Sequence, residues 1–142
     1  MATATLAQLI DRHQVDVLEH LDRQAGIPIL TGLQMQGDVA VIPATDQRAP
    51  ALGTAVRVPA EGIPVVRGES GGNTHLLLAD GPAKWTPIAR ANNGLDLGIL
   101  TVPAGSAAYL AHPEHGYCGI GAGEYTVRRQ REQADEIRLV AD

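Results

Sequence analysis

The sequence predicts a mainly β protein, a small β-barrel or β-sandwich preceded by one N-terminal amphipathic helix. Three observations carry that reading. Apolar residues recur at helical spacing near the start, at Leu6, Leu9, Ile10, Val17, Leu18 and Leu21. After Gly37 the texture changes to short β-branched runs cut by Gly and Pro, the pattern of an antiparallel barrel or sandwich. The length of 142 residues suits one hydrophobic core and leaves little room for a second.

The helix is expected over Leu6 to Gln24, with Thr3 or Thr5 as its N-cap and Gly26 and Pro28 as its stop. His13 and His20, seven residues apart, fall at the boundary of its apolar stripe. The organisation expected is therefore residues 1–26 as a helix packing on or extending the domain, and residues 37–142 as the β domain. Strands are expected at Val39 to Ile42, Thr54 to Val58, Ile63 to Arg67 and His75 to Leu78. Further runs lie at Leu97 to Val102, Ala107 to Ala111, Glu124 to Arg129 and Ile137 to Val140. Turn signals separate them, among them Pro59-Ala60-Glu61-Gly62, Gly71-Gly72-Asn73, Asn92-Asn93-Gly94 and Pro103-Ala104-Gly105. Pro43 to Leu52 reads as a loop, and Lys84 to Gly94 as a strand followed by a long hairpin tip. Gly116, Gly119, Gly121 and Gly123 suit a ligand site, a barrel corner or a subunit contact, and the corner is favoured.

Eleven basic residues against sixteen acidic ones give a net charge of -5, which argues against general nucleic-acid affinity. The one basic cluster is Arg128, Arg129 and Arg131. Alternation in that strand puts Tyr125 and Val127 in the core and Arg128 toward solvent, while Arg129 either needs a carboxylate, with Glu114, Glu124 and Glu132 as candidates, or lies beyond the core. These arginines are expected to pair with carboxylates or a protein partner. With Cys118 as the lone cysteine there is no internal disulfide, and the thiol reads as a small buried group. No apolar run approaches about 18 residues and no charged leader precedes an apolar stretch, so the expectation is a soluble cytoplasmic protein without membrane contact.

The densest polar group is His112-Pro113-Glu114-His115-Gly116. Turn chemistry accounts for all of it except the recurrence of histidine, so a polar β-turn is the plainer reading. Imidazole and carboxylate are also good ligands for divalent transition metals, and His75 on another strand can join His112 and His115 if the chain turns at Pro113. Glu114 would then serve as a ligand or general base. Serine-elbow and phosphate-loop motifs are missing.

Taken together, Gly37-Asp38-Val39, Gly72-Asn73-Thr74-His75, His112-Pro113-Glu114-His115-Gly116 and the stretch Gly123 to Glu132 resemble a loosely defined family of small, uncharacterised bacterial and phage-encoded β-proteins. The resemblance implies a β fold and no particular activity. The family pattern often has a histidine where this chain has Asn73 and a tyrosine where it has Gln133. A fainter similarity to cupins, which hold a metal on histidines and a glutamate inside a β-barrel, rests on His112, Glu114 and His115. The expected function is a non-enzymatic β module, without a cofactor, that binds a protein partner or assembles with itself. The alternative is a cupin-like enzyme using a divalent metal on a small molecule.

Overall fold

A computed structural model describes residues 3–19, 21–44, 53–67, 74–88 and 96–129. Residues 45–52 of the loop expected over Pro43 to Leu52, the turns at 71–73 and 92–94, the strand at 137–140, and His20 and Arg131 lie outside the described residues. Among the described residues one helix, α1 (Leu6–His13), precedes eleven strands. They are β1 (Ile29–Leu30), β2 (Gln34–Gln36), β3 (Val39–Pro43), β4 (Val56–Arg57), β5 (Ile63–Val66) and β6 (His75–Asp80). Then follow β7 (Lys84–Pro87), β8 (Asp96–Val102), β9 (Ala107–His112), β10 (Gly116–Ile120) and β11 (Gly123–Arg129).

The strands form two separate sheets, ordered β1-β10-β9-β6-β5 and β2-β3-β11-β8-β7-β4. Among the described residues no strand pair closes either sheet on itself, so the fold is sandwich-like and the barrel expectation is corrected. All pairings are antiparallel except β1 with β10. Pro64 falls on β5, an edge strand, where a missing N–H costs least.

Alternation sorts the side chains. On β6, Leu77 and Ala79 belong to the core between the sheets, and on β9 so do Ala108 and Leu110. They meet Val39, Val41, Leu100, Tyr125 and Val127 of the other sheet. The opposite faces of β6, β9 and β10 carry Leu78, Tyr109, Ala111 and Tyr117, and the N-terminal segment covers these with Leu6, Leu9 and Val17.

The helix is shorter than its periodicity suggests. Thr5 and Gln8 form a capping box at its start, and Gln14 ends it in the left-handed conformation at φ 60°. Beyond it, the Arg23 guanidinium collects the carbonyls of Val17, Leu18, Glu19 and Leu21, so a side chain rather than a helical ladder satisfies that backbone. Leu6 and Ala7 donate to the carbonyls of Ala25 and Arg23, and Tyr117 holds the carbonyl of Val15 at 2.7 Å.

The glycine-rich stretch is strand as well as corner: Gly116 and Gly119 lie in β10, while Gly121 and Gly123 flank the crossing to β11 in the other sheet. A Cβ on Gly119 would run into the carbonyl oxygen of Pro28, and one on Gly121 would meet Thr31 at 2.9 Å. Glycine here lets the chain through Pro28 to Thr31 lie directly on β10, which is how β1 joins the sheet.

Candidate functional site

The inward rows of two neighbouring strands end in histidine. His75 continues the row of Leu77 and Ala79, and His112 continues that of Ala108 and Leu110. Because Leu76 pairs with Ala111, the register brings His75 opposite His112, with ring centroids 4.4 Å apart. The chain then turns through Pro113, Glu114 and His115, and Gly116 takes φ +78° to enter β10. That turn returns the His115 ring to 4.5 Å from His112 and 6.4 Å from His75. The three predicted histidines are therefore neighbours, two of them buried and His115 exposed.

The second sheet supplies residues that the sequence did not single out. Gln36 on β2 is buried and donates through Nε2 to the carbonyls of Leu110 at 2.7 Å and Gly116 at 3.1 Å. Its Oε1 lies 2.9 Å from His75 Nδ1. Asp38 follows at the β2–β3 turn, with Oδ1 3.4 Å from His75 Nε2 and Oδ2 accepting from Arg129 at 3.1 Å. Gly37 separates them, and a Cβ there would approach His115 Nε2 to 2.9 Å.

These bonds assign the imidazole tautomers. Two carbonyls require the Gln36 amide to point its NH2 at them, so its oxygen faces His75 and His75 carries its proton on Nδ1. Nε2 of neutral His75 then presents a lone pair to Asp38. His112 is the reverse case: its Nδ1 accepts the backbone N–H groups of Glu114 at 3.1 Å and His115 at 3.3 Å, which places its proton on Nε2. His112 thus braces the turn. Glu114 reaches the cluster through its backbone N–H and lies exposed at the turn tip. Among the described residues, no three His, Cys, Asp or Glu side chains stand as a ready metal-ligand group.

The arginines divide between two carboxylates. Arg128 binds Asp96 at 2.7 Å and Arg129 binds Asp38, a carboxylate not among the three considered from sequence, of which Glu132 lies outside the described residues. Cys118 is half-buried beside Gln36, and burial pushes its thiol up, away from the reactive thiolate.

Burial, and next the neighbouring His112, push the His75 imidazole down to about 4, against the opposing pull of Asp38. The unfolded chain protonates His75 nearer its ordinary 6.5, so it binds the extra proton first as the solution is acidified. The contribution of His75 to stability is therefore intact above about 6.5 and falls away toward pH 4, by roughly 3 kcal/mol. Urea unfolding at pH 7 and pH 4.5, in a chelating buffer, should show a smaller acid loss for His75→Gln than for the wild type. Burial also holds His13 down, but His13 acts in both chains and cancels in the difference. Equal losses would remove His75 as the responsible group.

A family model described as "Domain of unknown function (DUF8820)" matches residues 35–130, a span that contains every residue of this cluster. No curated protein and no solved structure matches the chain. No helix among the described residues is long and apolar enough to cross a membrane.

Proposed function

We propose, for a chain that belongs to the DUF8820 family of domains of unknown function, that it is a non-enzymatic β module that assembles with a second copy of itself. The observation that carries this reading is the edge where both sheets end. β1 is terminal in one sheet and β2 in the other, and the few residues joining them keep the two edges together. Along this segment Ile29, Leu30, Leu33 and Met35 are exposed, Leu33 at 63% and Met35 at 50%. No charged residue occurs from Ile27 to Gly37.

Open edges present unpaired N–H and C=O groups, and proteins usually guard them with charges, proline or bulges. This one lacks charged guards and carries apolar side chains. Antiparallel pairing of β2 with its own copy about a twofold axis sets no like charges against each other, and it brings the exposed Met35 side chains together. Gln34 and Gln36 point the other way, into the sandwich, where Gln34 binds the carbonyl of Gly119 at 2.7 Å and anchors the edge. The alternative of a metal-dependent enzyme on His75, His112 and His115 draws less support, because the bonds to His112 Nδ1 leave its proton on Nε2.

Sedimentation of the full chain up to about 100 μM, a concentration that detects even weak association, should show a dimer. Leu33→Glu with Met35→Lys should return it to a monomer while changing stability by no more than about 0.5 kcal/mol, as exposed substitutions do. A wild type that remains monomeric throughout this range overturns the proposal.

A further inference from the structure

The contact between Asp38 and His75 is chemically incomplete. Gln36 takes the proton-bearing Nδ1 of His75, so Nε2 turns a lone pair toward Asp38 Oδ1, an acceptor, at 3.4 Å. Two acceptors facing each other, one on a buried imidazole and one on a part-exposed carboxylate, call for something positive between them. A proton on Nε2 is one answer. A metal ion is the other. With zinc-to-nitrogen and zinc-to-oxygen bonds of about 2.0–2.2 Å, two ligands at a tetrahedral angle stand about 3.4 Å apart, the separation seen here.

We propose that Asp38 Oδ1 and His75 Nε2 are a preset pair of ligands for a divalent transition-metal ion of the zinc or cobalt type, completed by His115. His115 belongs because it is exposed on its turn, its Nε2 lies against Gly37, and its ring stacks parallel to that of His75 within 12°. Its side chain must rotate to close the site, in keeping with the lack of a ready three-ligand group. Gly37 leaves the room for that movement.

The outer bonds fit the same role. A ligating histidine ordinarily hands its second nitrogen to a carbonyl, carboxylate or amide that holds the ring and its tautomer, as Gln36 does for His75. Arg129 on Asp38 Oδ2 leaves Oδ1 facing His75 but places a positive charge beside the site. His112 acts as a brace: it holds the turn that carries His115 and is not a ligand.

The ligand set is tested by titrating cobalt(II) and zinc(II) into the full, untagged, chelator-treated chain. Calorimetry should give one ion per chain with a dissociation constant below about 100 μM, and the visible cobalt bands should mark the coordination. Asp38→Asn and His115→Ala should each weaken binding by about tenfold or more. His112→Asn, whose Oδ1 can accept the same backbone N–H groups, should change binding by less than about threefold, and Arg129→Gln should tighten it. Thermal melts identify any variant that fails to fold, and nitrogen chemical shifts of the wild-type His75 ring supply a reading independent of variants. Absence of stoichiometric binding, binding that survives Asp38→Asn or His115→Ala, or a proton on His75 Nε2 at pH 7 overturns the proposal.

Discussion

A chain lacking residues 1–26 is expected to lose its cooperative melt near the wild-type temperature and to aggregate. Leu6, Leu9 and Val17 are buried against Leu78, Tyr109, Ala111 and Tyr117 on the outer face of the five-stranded sheet. Burying one large aliphatic side chain is worth about 1.5–3 kcal/mol, and three of them rival the whole stability of an ordinary domain, about 5–15 kcal/mol. The deletion also exposes a contiguous patch of aliphatic and aromatic surface, which favours association. It removes the Val15 carbonyl that Tyr117 holds, leaving that hydroxyl without its partner. Leu9→Ala gives a graded form of the same experiment and should cost about 2–5 kcal/mol, since Leu9 is fully buried. A truncated chain with unchanged melting temperature and solution size would mean that the segment is not a packed cover.

The second large effect is expected from Gln36→Leu. The glutamine amide donates to two main-chain carbonyls, of Leu110 and Gly116, and accepts from His75 Nδ1. Leucine is close in size but can make none of these bonds, so two carbonyls and one imidazole N–H are left unpaired in the interior. A stranded buried group costs about 1–3 kcal/mol, which makes the expected loss about 3 kcal/mol or more, read from urea unfolding at pH 7. Gln36→Glu separates the parts, because a carboxylate still accepts from His75 but donates to neither carbonyl. It should also favour the protonated form of His75. A loss below about 1 kcal/mol for Gln36→Leu would show that water replaces the amide and that the His75 tautomer is not held as described.

The strands legible in the sequence are those with a local signature. Val39 to Ile42, Ile63 to Arg67, His75 to Leu78, Leu97 to Val102, Ala107 to Ala111 and Glu124 to Arg129 all show β-branched or alternating residues bounded by turns, and each lies on a strand within a residue or so. The same pattern anticipated Tyr125 and Val127 in the core. It missed β1, β2 and β10, because two exposed apolar residues, three residues with two glutamines, and a strand with glycines at Gly116 and Gly119 carry no strand signal of their own. They are strands only because neighbours offer pairing. The helix failed in the opposite sense: its apolar spacing runs past His13, yet Arg23 and the carbonyls it gathers hold residues 17–19 and 21 in another path.

By itself, then, the sequence determined the β character, the leading helix, the polar turn at His112 to Gly116 and the histidines worth watching. Only the tertiary structure decided that two open sheets form, that His75 faces His112, and that Gln36 and Asp38 rather than Glu114 complete the polar corner. The reason is range. Alternation, capping and turn chemistry act between residues a few positions apart and leave a readable period. Gln36 meets Leu110 and Gly116 across separations of 74 and 80 residues, and Asp38 meets Arg129 across 91. Contacts at that distance follow from strand order and register, which depend on how the whole apolar surface is buried at once.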